Sequence, residues 1–432
     1  AFAPLLVLVV VFQTLYFLID LYFVGRLGDA AIAGVSTAGN VTFLIMALTQ
    51  VLSVGTVALV AQAIGRRDRD DANLVFNQSL SIGALFTLAT LVLGYALAPS
   101  YMASVGADAA TEAAGRTYLA WYLPGLALQF ALVVMGSALR GTGIVKPAML
   151  VQVLTVVLNA LLAPVLIAGW GTGRPLGVAG AGLASTLAIA FGVVLLAVYF
   201  RRLEHDVAYD RALATPRLDT WRRILKIGTP AGAEILMMFL IMGAIYAAIR
   251  PFGADAQAGF GIGNRINQAL FLPVMAVAFA VAPVAGQNFG AGLHDRVRET
   301  FRFVALFGSG LMLVMTALCH WQPEAMVRLF TNDDEVIAVG VQFLRYISWN
   351  YVAAGLIFAC SGMFQALGNT LPSLLSSASR LVTFAVPVTL LSHRPGFELH
   401  EVWVLSVATT LLQALISLWL LRGQLQARLR PA

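Results

Sequence analysis

Charge is scarce in this chain. Aspartate, glutamate, lysine and arginine make up 11% of its 432 residues, against about 25% in an ordinary soluble domain. Apolar residues fill the deficit at 59%, and mean hydropathy is +0.85. A soluble protein of this size has too little interior to hide that much apolar surface, so lipid is the expected solvent. Cysteine is nearly absent. Cys319 and Cys360 both fall in or at apolar segments, which leaves them the role of small hydrophobes and excludes a disulfide framework. The five histidines stand in loops or at segment ends without metal-ligand spacing, so no cofactor is expected. No stretch has the pattern of a cleavable signal peptide. The opening AFAPLL lacks a start methionine, so an N-terminal portion is expected to be missing.

A net charge of +6 could indicate nucleic acid. The positions point elsewhere, because most basic residues flank apolar runs, which is a membrane topology signal. A span needs about 20 mostly apolar residues. Twelve stretches qualify: 5–24, 41–63, 74–98, 117–139, 148–168, 178–200, 227–249, 266–286, 303–321, 339–359, 372–392 and 402–422. They are too long and too uniformly apolar for barrel strands. The turns after the even-numbered spans, with the C-terminus, hold 18 of the 27 basic residues, and the opposite turns hold six. That asymmetry places both termini in the cytoplasm.

The long polar stretch 201–226 stands near the middle, which predicts an N-lobe over 1–200, a basic cytoplasmic linker over 201–226 and a C-lobe over 227–432. At an offset of 225 residues, Gly34 meets Gly259, Gln62 meets Gln287, Gly65 meets Gly290, Gly143 meets Gly368 and Pro147 meets Pro372. Six spans per repeat is an even number, so the halves share one orientation. Two pseudo-symmetric six-helix lobes rocking against one another are a transporter design, not an enzyme.

Only two acids fall well inside spans, Asp20 and Glu234. A charge there costs several kcal/mol (~2.5–3.5 at the helix centre on the cheaper scales), so such a group faces a cavity, pairs, or stays protonated. Asp20 has the physics of a proton carrier, though hydroxyl and amide oxygens around it could instead hold Na⁺, and a structural acceptor role is the plain alternative. Glu234 follows Pro230 by one turn and suits either transport or a capping or lobe-packing role. Tyr16 lies one turn before Asp20 on the same face. Gln13, Asn40, Gln50, Asn159, Ser185 and Thr186 in the first half, and Asn264, Gln268 and Asn350 in the second, could line cavities or join helices. PLGVAGAGLAST (175–186) has neither the strand nor the lysine of a nucleotide loop and reads as close helix packing. With no ATP-binding module in the sequence, an ion or substrate gradient must drive transport.

Five segments carry a resemblance: IDLYFVGRLGDAAIAG (19–34), VALVAQAIGRRD (57–68), LRGTGIVKP (139–147), GVAGAGLAST (177–186) and VAPVAGQNFGAG (281–292). In order and spacing the chain resembles the multidrug and toxic compound extrusion (MATE) transporters over essentially its whole length. The resemblance implies an all-α integral membrane protein, with twelve transmembrane helices in two six-helix lobes forming a V. It implies export of organic cations and drugs in exchange for H⁺ or Na⁺ across a bacterial inner membrane, and a monomer is expected. The family's first-helix acid matches Asp20, its fifth-helix asparagine Asn159, and its sixth-helix hydroxyl Ser185 or Thr186. Two departures matter. Ala163 stands before Pro164 where one branch has a second N-lobe acid. Met238 stands where the Na⁺-coupled branch has an acid in helix seven. These features place the chain nearest the DinF-like branch and favour H⁺ at Asp20, with Na⁺ coupling and a lipid-linked precursor flippase as alternatives.

Overall fold

The computed structural model describes residues 15, 19–20, 22–202, 204 and 206–429. Every regular element among them is helical. Among the described residues, eleven helices are long and apolar enough to cross a membrane. The expected first span, 5–24, lies largely outside the described residues.

The chain forms two compact units, Ala1–Gly228 and Thr229–Ala432. In the first, α1 (Asp29–Gly39) and α2 (Val41–Gly65) meet at Asn40. Then come α3 (Arg69–Val105), α4 (Ala109–Thr142), α5 (Lys146–Ile167) and α6 (Val178–Arg202). Residues 29–39, which lie between expected spans, are helical and extend the second span to Asp29–Gly65. Helix α4 is the hub, packing against α1, α2, α3 and α6. The glycine run works as the sequence implied: a Cβ on Gly180 would sit 2.3 Å from the Leu166 carbonyl, and one on Gly182 2.7 Å from that of Tyr118.

The polar stretch before the second unit is strapped to α3. Asn77 Nδ2 donates to the Ala208 carbonyl at 3.0 Å, and its Oδ1 accepts from Asp210 N–H at 2.9 Å. Gln78 donates to the carbonyls of Leu213 and Thr215 and accepts from Arg217 N–H. Ser81 donates to the Ala214 carbonyl. Arg223 closes a bidentate pair with Asp71 at 3.0 Å for each bond. Backbone groups of Ala208, Asp210, Leu213, Ala214, Thr215 and Arg217 are therefore paired with α3 side chains.

Helix α7 (Leu218–Ile249) carries the chain across the unit boundary. The second unit continues with α8 (Ala254–Gly290), α9 (His294–Trp321), α10 (Pro323–Arg328), α11 (Asp334–Ile347), α12 (Tyr351–Ala366), α13 (Leu371–Ser392) and α14 (Leu399–Arg428). A 3₁₀ turn, Ser348–Asn350, interrupts the span formed by α11 and α12. Phe260, Phe343 and Trp403 form the centre of its core, with ring centroids 5.0 to 5.6 Å apart.

The internal repeat is legible in contacts. A Cβ on Gly34 would meet the Thr111 carbonyl at 2.8 Å, and one on Gly259 the Val336 carbonyl at 2.9 Å. Thr111 and Val336 are also 225 residues apart. Gly143 and Gly368 both adopt positive φ, at 89° and 73°, where glycine ends a helix at no steric cost. Pro147 and Pro372 then open α5 and α13.

Candidate functional site

In the first unit the sequence candidates separate. Asp20 is half-buried in helical backbone, and its Oδ1 is shielded from solvent with no hydrogen-bond partner among the described residues. Its neighbours Ile19 and Phe23 pack on a cluster holding Tyr118, Ala163, Ile167 and Ala181. Tyr122 reaches the same place from α4. Its hydroxyl shares a hydrogen bond with Thr42 on α2 and lies within electrostatic range of Asp20. Tyr122 was not among the sequence candidates. Aromatic residues abound in spans, and nothing local marks this one.

Asn159 is buried on α5, one turn before Ala163. Its Nδ2 donates to Ser185 Oγ on α6 at 3.4 Å, and its Oδ1 is shielded and unpartnered. Thr186, the next residue, turns to a different neighbour. Its Oγ1 donates to the Trp121 carbonyl and accepts from Gly125 N–H at 3.2 Å. A Cβ on Gly125 would stand 2.8 Å from that oxygen, so Thr186 staples α4 to α6 at a close approach of the two helices. Asn40 is exposed at the joint of α1 and α2, and Gln50 is half-buried on α2. Gln13 and Tyr16 lie outside the described residues.

In the second unit Glu234 on α7 accepts from Ser373 Oγ at 2.8 Å and from Ser377 Oγ at 3.3 Å, both on α13. Ser377 in turn accepts from Gln413 Nε2 on α14 at 3.3 Å. The carboxylate is thus wired across three helices, and its location in the helix interior removes the plain capping role. Sequence reasoning missed these serines. The signal was available as SLLSSASR (373–380), which sets Ser373, Ser377 and Arg380 on one helical face. Asn264 is half-buried and Gln268 exposed on α8. Between them Asn267, which was not singled out, has a shielded, unpartnered Oδ1.

A shielded carboxylate oxygen without a donor is costly as an anion. It is relieved by a proton or by a cation. No group of three or more His, Cys, Asp or Glu that could hold a metal ion occurs among the described residues, so a cation here would draw on Asp20 together with amide and hydroxyl oxygens.

Comparison with known proteins adds the following. The MatE family model matches residues 6–165 and 230–391. A probable multidrug resistance protein, YoeA of Bacillus subtilis, is 26% identical over 91% of this chain and 86% of that protein. The multidrug export protein MepA of Staphylococcus aureus is 24% identical over 96% and 91% respectively. An FAD transporter of Shewanella oneidensis is 24% identical over 87% and 83%. Among solved structures, a MOP superfamily transporter from Pyrococcus furiosus superposes with a TM-score of 0.91 over 99% of this chain and 95% of that one, at 24% identity. An outward-facing multidrug resistance MATE transporter superposes with a TM-score of 0.90 over 100% and 95%, at 25% identity.

Proposed function

The chain belongs to the MatE family of multi-pass membrane transporters, which are not enzymes, and from that premise we propose that it is an antiporter exporting lipophilic or cationic organic compounds in exchange for H⁺ bound at Asp20. The observation that carries this reading is the shielded, donor-free Asp20 Oδ1. Deprotonated, Asp20 attracts an organic cation. Protonated from outside, it loses its charge, releases the cation and is cheap to bury. The linkage is reciprocal: the proton weakens drug binding by the factor by which drug weakens proton binding. Asn159 and Ser185 are assigned as further polar groups of the same unit, and Tyr122 lies within electrostatic range of Asp20. Glu234 holds α7, α13 and α14 together through hydroxyl contacts.

The multidrug names of YoeA and MepA support the substrate class. The basic-residue asymmetry supports a bacterial inner-membrane location with both termini cytoplasmic. Ala163 and Met238 support placement nearest the DinF-like branch. A second reading, Na⁺ in place of H⁺, is favoured by the unpartnered Asn159 Oδ1, an oxygen suited to a hard cation.

Dye efflux from proteoliposomes tests the proposal, with a proton or a Na⁺ gradient imposed separately. Efflux driven by ΔpH and lost in Asp20→Asn is the expected result. Full gradient-driven export by Asp20→Asn would overturn the assigned role. Efflux that needs Na⁺ selects the second reading.

A further inference from the structure

The second unit holds a guanidinium that its own side chains do not balance. Arg380 stands near the middle of α13, with nine residues before it and twelve after it in the helix. Arginine carries five N–H donors. Among the described residues Arg380 makes one hydrogen bond, from Nη2 to Ser406 Oγ on α14 at the limiting distance of 3.5 Å. Its Nε is shielded from solvent and unpartnered. No carboxylate of the described residues lies within 4.0 Å, for Arg380 appears in no ion pair. Glu234 on α7 meets α13 through Ser373 and Ser377, which take its oxygens.

Arg140 offers a comparison. It lies in the last turn of α4, where the helix C-terminus favours a cation, and donates to Ser53 and Ser137 at 2.7 and 3.2 Å. Arg380 has neither advantage.

Ser406 gathers a second polar group. Asn350, in the 3₁₀ turn that interrupts the α11–α12 span, donates from Nδ2 to the Ser406 carbonyl at 3.5 Å, and its Oδ1 is shielded and unpartnered. Two residues that each keep an unpartnered polar atom, Arg380 and Asn350, thus meet Ser406 from two other elements.

We propose that Arg380, Asn350 and Ser406 form an anion site inside the second unit, which takes a carboxylate or phosphate group. The guanidinium binds the anionic oxygens in its fork, and Asn350 Oδ1 accepts from a hydroxyl on the same ligand. The site goes beyond the cation-for-proton reading and stands without it, since none of its residues belongs to the Asp20 region. Two sources share this chemistry: a soluble organic anion and the phosphate of a lipid headgroup.

The test is calorimetric titration of the full chain in detergent with phenyl phosphate, and separately with short-chain phosphatidylglycerol. Saturable binding of either probe, weakened at least 10-fold in Arg380→Gln and only a few-fold in Arg380→Lys, is the expected result. The probe that shows this dependence identifies the source. Arg380→Lys keeps the charge, so it decides the matter if the glutamine variant does not fold. Phosphate affinity that is equal in wild type and both variants, or wild-type protein that binds neither probe, overturns the site. Dye efflux under ΔpH in Arg380→Lys keeps the two proposals apart. Retained efflux with weakened phosphate binding is the outcome expected if both hold, and lost efflux in Asp20→Asn leaves the anion titration unaffected.

Discussion

Asn159 and Ser185 meet across the α5–α6 contact with Nδ2 donating to Oγ at 3.4 Å, and the Asn159 carbonyl oxygen is left shielded without a partner. The bond is long for an amide donor, so the pair holds its geometry loosely and leaves an acceptor available. Asn159→Ala is expected to slow ΔpH-driven efflux several-fold with Tm little changed. The Asn159–Ser185 bond itself contributes little at this length (roughly 0.5 kcal/mol or below), and Ser185→Ala provides the companion measurement. Proteoliposome efflux and detergent Tm check both. Equal rates in wild type and Asn159→Ala would remove Asn159 from the coupling region.

Asp20→Asn should lower ΔpH-driven efflux at least 10-fold while leaving substrate binding measurable by fluorescence anisotropy. The amide copies the shape of the protonated acid and cannot exchange the proton.

The strap over residues 206–217 depends on buried Gln78, which serves three backbone groups. Gln78→Ala leaves them unsatisfied, at about 1–3 kcal/mol for each group that stays buried. The strap is then expected to lift, and limited trypsin digestion at Arg211 and Arg217 should become at least several-fold faster. Unchanged cleavage would show that Asn77 and Ser81 hold the segment without it.

Gly180→Ala pushes a methyl group to 2.3 Å from the Leu166 carbonyl. Backbone cannot give as a side chain can, so α5 and α6 must separate. Overpacking of this kind costs about 1–3 kcal/mol, and Tm should fall by several degrees. Gly171→Ala, with nothing within 4 Å but a φ of 77°, separates steric contact from backbone conformation and should cost less.

Asp108 caps α4 by accepting Thr111 N–H at 2.7 Å, and that bond is the main cause holding its carboxyl below the usual carboxylate range. A group lowered in the folded state contributes stability that is fully present above its unfolded pKa, about 3.9, and lost as pH falls through the folded value. Asp108→Ala should therefore lower Tm at pH 7, and the gap to wild type should narrow below that carboxylate range. Asp108→Asn, which also caps, should recover most of the loss. A gap that is constant with pH would separate the effect from ionisation.

Hydropathy and charge placement alone identified eleven of the spans that the described residues contain, because a lipid solvent selects for long apolar runs whatever their packing. Spacing alone identified the repeat, since Gly34 and Gly259, or Pro147 and Pro372, answer to local steric demands that both halves share. Tertiary structure decided which polar side chain meets which. Ser185 and Thr186 are adjacent, and the sequence offers both as ligands. They point about 100° apart on the helix, so one meets Asn159 and the other the Trp121 carbonyl. The polar stretch read as a basic linker also takes hydrogen bonds from Asn77, Gln78 and Ser81, more than 130 positions away. Glu234 likewise finds Ser373 and Ser377 about 140 positions on. Composition and period are local properties and can be read along the chain. The partner of a buried polar group is set by the helices folding brings beside it, and only the packed structure contains that information.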